Sequence, residues 1–304
     1  MKILLATDGS DSAREAVDLL IRFPFPKDSS ATALTVIDDR IFTVSRPGDL
    51  DEDQNRLLQE TERTIKEESE QLLAAESARL RDAGWSGSTE IRKGDPAEEI
   101  IQAAEELQPD LIVLGSHGIE GMTHFLLGSI SDQVLRYAGC SVLIARSSPK
   151  MSTPADAGDQ ALPWRILMAY DESEPAKKAI SLCASLPLDD NAEVHVVSIM
   201  PMIRMFRQDI RQQLNTIWQQ QKHAREEALK EAVGALEWST PHVSSALVQS
   251  TDVSQEILEI AEKDAMDLVV LGYKGQSAIK RFLLGSITAR IARHAPCSVL
   301  AVRN

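Results

Sequence analysis

The chain has 304 residues, more than one compact core usually organises, so two domains are expected. Hydrophobic residues make up 43% and charged residues 26%, a folded, soluble composition that excludes global disorder. A net charge of −14 repels a phosphate backbone and sets nucleic acid aside as a partner, and no apolar run reaches the roughly 18 residues of a membrane span.

Met1 leads straight into "KILLAT", without a charged n-region or cleavage site, so a cytoplasmic place is expected. "KILLAT" (2–7) is a short apolar run fit for a buried strand. "SDSAREAVDLLIRF" has helical spacing behind a Ser/Asp cap, and "ATALTVI" reads as a strand. Residues 51–82 form a long polar helix that carries much of the acidic excess on a solvated face. "STEIRKG" follows as a strand, then "PAEEIIQAAEEL" as a helix opened by proline. "DLIVLG", "SISDQVLRYA" and "SVLIAR" read as strand, helix and final strand. Five strands alternating with four helices predict a doubly wound α/β domain, a parallel sheet of order 3-2-1-4-5 with helices on both faces.

The series is then written again. Residues 110–146 and 267–303 share 19 identities in 37 positions. "KILLATDGSDSAREAV" and "RILMAYDESEPAKKAI" correspond at the front of each copy. The expected division is one domain over 1–147, a Pro/Ser/Ala-rich linker over 148–163 and a second domain over 164–304. Cys140, Cys183 and Cys297 form no CxxC pair and read as small apolar residues.

Each fourth strand runs into the same glycine pattern, G-x2-G-x9-G-S, as Gly115, Gly118, Gly128 and Ser129, then as Gly272, Gly275, Gly285 and Ser286. In a doubly wound sheet, ligands bind beyond the carboxyl ends of the strands, where the strand order reverses. Asp8 ends the first strand and Gly115 the fourth, so both face that crevice. Glycine lets the backbone come close to a ligand, and a helix opening at Gly128-Ser129 offers N–H groups to an anion. Asp132, three residues after Ser129, completes a spacing like that of a capping box. The pattern predicts a phosphate cradle. Walker, Rossmann and nucleophile-elbow motifs are missing from the sequence, which disfavours an NTPase motor, a dinucleotide oxidoreductase and a serine hydrolase.

G-x2-G-x9-G-[ST] after an apolar strand, with an Asp ending strand one, resembles the ATP-binding class of the universal stress protein family, here in its tandem two-domain form. The resemblance implies that Asp8 sits by the adenosine and that Val36 offers its backbone to adenine. It places Gly115, His117, Gly118, Gly128, Ser129 and Ile130 around the ribose and phosphates. The matching residues of the second copy are Asp171, Ile199, Gly272, Lys274, Gly275, Gly285, Ser286 and Ile287. "KGDP" (93–96) also resembles a family signature, and "STDV" (250–253) departs from it.

The implied ligand is ATP or another adenine nucleotide, with Asp8 and Asp171 as candidates to hold Mg²⁺ through water. No metal-ligating set, base, nucleophile or arginine finger stands out, and no catalytic residue is assigned. The favoured reading is a stress-response regulatory protein that binds ATP. Its alternatives are a slow ATP-hydrolysing enzyme, on a faint echo of a pyrophosphatase loop in "TDGSDS", and an interaction protein with a vestigial nucleotide cradle. The apolar last strand of each copy is an edge to be covered, so intrachain pairing of the two domains is expected, with a further homodimer left open.

Overall fold

The structure, a computed structural model, describes residues 1–41, 51–118, 127–147, 163–202, 208–276 and 284–303. The chain divides into two compact units, Met1–Ala145 and Arg146–Asn304. Of the expected linker, only Pro163 lies within the described residues.

Unit 1 runs β1 (Lys2–Ala6), α1 (Asp11–Arg22), β2 (Ser30–Asp38), α2 (Glu52–Asp82), β3 (Ser86–Gly94), α3 (Pro96–Leu107), β4 (Leu111–Gly115), α4 (Ser129–Tyr137) and β5 (Ser141–Ala145). Its strands lie parallel in the order β3-β2-β1-β4-β5. Unit 2 repeats it with β6 (Trp164–Ala169), α5 (Glu174–Ala184), β7 (Ala192–Pro201), α6 (Gln208–Leu236), β8 (Val243–Ser250), α7 (Val253–Lys263), β9 (Leu268–Gly272), α8 (Ser286–His294) and β10 (Ser298–Val302), in the order β8-β7-β6-β9-β10. Even the register is copied: Ile3 pairs with Leu111, and Ile166 with Leu268. Both units are doubly wound α/β domains.

The sequence forms these elements for plain reasons. β4 and β9 are buried at every position, which is why they read as unbroken apolar runs. Leu4, Leu5, Leu34 and Ile112 are wholly buried around the middle of the first sheet. Each such side chain contributes about 1.5–3 kcal/mol on leaving water. Ser10 caps α1 by accepting from the Ala13 N–H (3.2 Å), and Ser173 does the same for α5 from Ala176 (3.3 Å). Asp95 caps α3, with Pro96 in its first turn. α2 opens with a capping box between Asp51 and Gln54 and is laced by Arg56–Glu60 and Arg63–Glu67 pairs. It buries only Leu73, Glu76 and Leu80, so most of its length is the solvated helix that its charge foretold.

β1 is flanked by β2 on one side and by β4 on the other, so the chain reverses direction across the sheet there. The carboxyl ends of β1 and β4 consequently frame a crevice in unit 1, as those of β6 and β9 do in unit 2.

Candidate functional site

In unit 1 the crevice is a cavity of about 590 Å³. All eight residues singled out in the first copy line it: Asp8, Val36, Gly115, His117, Gly118, Gly128, Ser129 and Ile130. In unit 2 a cavity of about 490 Å³ is lined by Asp171, Ile199, Gly272, Lys274, Gly275, Gly285, Ser286 and Ile287, again the full set. Both volumes suit a ligand of nucleotide size.

Local hydrogen bonds explain the fixed spacing of the glycines. The Gly128 N–H donates to the Ser116 carbonyl (2.8 Å), and the Gly285 N–H to the Tyr273 carbonyl (3.0 Å). The segment after each fourth strand therefore leaves and returns to one place. Its middle, with Gly121, His124 and Ala278, lies outside the described residues. The helix that follows is tied down from beneath. The buried Ser131 hydroxyl donates to the Gly115 carbonyl (2.8 Å), and that of Thr288 to the Gly272 carbonyl (2.9 Å). Sequence reasoning passed over these two hydroxyls, although "GSIS" and "GSIT" both carry one at the same place.

The α4 start leaves its first-turn N–H groups open to the crevice. Its first backbone bond runs from the Asp132 N–H to the Gly128 carbonyl (2.9 Å). The N–H groups of Ser129, Ile130 and Ser131 thus sit in the first turn with no carbonyl four residues back to reach, and all three residues line the cavity. The capping box expected from Ser129 and Asp132 does not form. Gly128 is the N-cap and has no side chain, Ser129 is already helical, and Asp132 pairs with Arg136 (2.7 Å).

Two of the glycines also have a packing role. A Cβ on Gly115 would stand 2.6 Å from the backbone carbonyl of Ser12, and one on Gly272 would stand 2.8 Å from the Ala176 nitrogen. Those two glycines make room for the helix after the first strand of each unit. A Cβ on Gly118 would come within 2.9 Å of the Asp8 carboxylate, and one on Gly275 within 2.6 Å of the Asp171 carboxylate. That pair keeps each acid in place at the crevice. Gly94 has a φ of +154°, but the space beside it is taken by Glu99, so "KGDP" serves the start of α3 and touches the cavity only through Pro96.

The sequence profile of the universal stress protein family matches residues 1–146 and again residues 164–303. This chain belongs to the universal stress protein family. A universal stress protein of Methanocaldococcus jannaschii is 34% identical over 149 residues, covering 49% of this chain and 84% of that protein. The universal stress protein YxiE of Bacillus subtilis is 30% identical over 145 residues, 48% of this chain and 98% of its own. A universal stress protein structure from Archaeoglobus fulgidus superposes with a TM-score of 0.64 over 99% of this chain and 98% of that one. At 22% identity, that likeness concerns the fold.

The two crevices of this universal stress protein differ in their polar groups. In unit 1, Ser12, Ser116 and His117 form a chain. The Ser12 hydroxyl accepts from the His117 N–H (3.1 Å) and meets the Ser116 hydroxyl (3.3 Å), which meets His117 Nδ1 (2.8 Å). In unit 2 those places hold Pro175, Tyr273 and Lys274. Arg303 stacks on the Tyr273 ring at 4.1 Å, and burial and the Arg303 charge lower the Lys274 pKa. The Asp171 carboxylate accepts from the N–H groups of Ser173 and Gln276 (both 3.1 Å). The sequence also left Asp38 and Arg40 unassigned, and both line the first cavity. Among the described residues no helix is long and apolar enough to cross a membrane.

Proposed function

We propose that each unit holds an adenine nucleotide, ATP foremost, and that the protein is a binding module of the cytoplasmic stress response. One observation supports this above others. Sixteen residues that the family resemblance implies for a nucleotide fall, eight and eight, around two cavities of about 590 and 490 Å³. The phosphates would meet the first turns of α4 and α8, and the base would enter the apolar slot of Leu34, Val36, Pro96 and Ile100, or that of Val197, Ile199, Val253 and Ile257.

Among the described residues no cluster of three acids, histidines or cysteines could hold a metal unaided. Mg²⁺ would therefore arrive with the phosphates, and Asp8 and Asp171 would hold its water shell.

Mass spectrometry of ligand released from the purified protein tests the main reading, with ATP or a close relative expected. A folded Gly128→Val, Gly285→Val double variant should release none. Equal ATP binding by that variant would overturn the reading, and steady-state ATP turnover would favour the enzyme instead.

A further inference from the structure

The two crevices share a helix start and differ in the residue beside it. A Cβ on Gly128 would stand 3.4 Å from the His117 Cα, and one on Gly285 would stand 3.4 Å from the Lys274 Cα. His117 and Lys274 thus hold the same place, each against the turn that opens the helix of its cavity. In the first crevice the imidazole is drawn sideways, since its Nδ1 meets the Ser116 hydroxyl (2.8 Å). In the second, Tyr273 and Pro175 stand where Ser116 and Ser12 do, and that hydroxyl chain is gone.

Lys274 is fixed through its backbone, whose carbonyl accepts from the Ser173 hydroxyl (3.2 Å), while the residue stays partly exposed. Its ammonium lies 5.9 Å from the centre of the Tyr273 ring, on which Arg303 stacks at 4.1 Å. Two cations beside one ring repel. Burial, and then the nearness of Arg303, lower the Lys274 pKa. A polyanion brought to that ammonium relieves the repulsion. Arg40, a cation on the first cavity's wall, does not supply the same thing. It follows β2, which lies across β1 from β4. Its guanidinium is taken by Asp38 (2.9 and 3.0 Å from Nε) and Asp95 (3.6 Å), two carboxylates that leave no net positive charge there.

We infer that Lys274 is a specificity-determining residue that makes the C-terminal crevice favour a triphosphate over a monophosphate more strongly than the N-terminal crevice does. This rests on the nucleotide reading above and deepens it. One phosphate meets the helix start, which the two crevices share. Each further phosphate adds negative charge beyond that start. A lysine ammonium on its flexible four-carbon stem can follow the added charge as a point cation with three donors. An imidazole tied to the Ser116 hydroxyl cannot extend in the same way.

The test is the ratio of AMP to ATP dissociation constants in the full-length protein, read by calorimetry with and without Mg²⁺. Gly128→Val leaves the C-terminal crevice to report, and Gly285→Val the N-terminal one. The ratio should be about three- to fivefold larger in the C-terminal crevice, the scale of one partly solvated ion pair. Lys274→Gln, added to Gly128→Val, should remove that excess, mostly by weakening ATP. His117→Lys, added to Gly285→Val, should raise the N-terminal ratio towards the C-terminal one, so a folding defect in one variant does not decide the matter. A merely structural role for Lys274 would weaken AMP and ATP together and leave the ratio where it was. Equal ratios in the two crevices, or a C-terminal ratio unmoved by Lys274→Gln, overturn the inference while the nucleotide reading stands. If the unsubstituted chain binds neither AMP nor ATP, both fall.

Discussion

At the scale of single residues, small groups decide what the crevice can be. Gly115 is needed because α1 packs its Ser12 backbone where a Cβ would sit. Gly115→Ala should therefore cost about 1–3 kcal/mol through overpacking, seen as a lower urea midpoint with an unchanged slope. Gly128 differs, since its Cβ would approach nothing closer than 3.3 Å. Its substitution by Val should spare stability relative to Gly115→Ala and remove ligand. The cysteines divide in the same way. Burial pushes the thiols of Cys183 and Cys297 up to about 12, so almost no thiolate exists at neutral pH. Cys140 is partly exposed. A disulfide reagent at pH 8 should modify Cys140 first in the native protein, and the other two only after unfolding. Rapid labelling of Cys183 in folded protein would contradict the burial argument.

At the scale of elements, strand and helix identities were legible because each fully buried strand is a continuous apolar run and α1, α2, α3, α5 and α7 open on a side-chain cap. The margins were less so. "STEIRKG" reads as beginning at Ser88, yet β3 begins at Ser86. Gly87 looks like a turn residue, but it lies in the strand where a Cβ would collide with the Ala31 carbonyl. Spacing found the crevice glycines, since backbone geometry at a strand end depends on glycine, and the family resemblance supplied the other crevice residues. It could not find Asp38, Arg40 or Ser131, whose roles depend on what the fold brings opposite them. Asp252 is a similar case. It caps α7 by accepting from the Gln255 N–H (3.0 Å) and binds Arg290 (2.6 Å). Those bonds, the Gln255 N–H first, hold its pKa down to about 2. A depressed carboxylate stabilises the fold above its unfolded value, about 3.9, and that contribution is lost as pH falls through 2. The α7–α8 tie should weaken between pH 4 and pH 2, followed by the Asp252 carboxyl chemical shift. An Asp252 midpoint near 4 would sink the assignment.

At the scale of the whole molecule, a duplicated fold has kept the helix start at one end of its crevice and diversified the rest. Both crevices retain the hydrogen-bonded glycine return and the buried hydroxyl under the helix. The phosphate contribution to binding should therefore be similar in the two units. The base ends differ. Unit 1 has the larger cavity, with Asp38, Arg40 and Pro96 on its wall, whereas unit 2 has Val253 at the place of Pro96 and a proline at that of Asp38. Lys274 works the other way, because it adds a cation to the second cavity where the first has His117. Its gain is limited: a largely solvated charge pair is worth about 0–1 kcal/mol, and a lowered pKa marks a slightly disfavoured charge. The N-terminal crevice, with the wider cavity and Pro96 where the second has Val253, should bind ATP more tightly, by about tenfold. Raised salt should weaken the C-terminal site more, since its advantage is a partly exposed charge. Calorimetry on the separate Gly128→Val and Gly285→Val variants measures each site alone. If Gly128→Val leaves the tighter event intact, the order of the two sites is reversed.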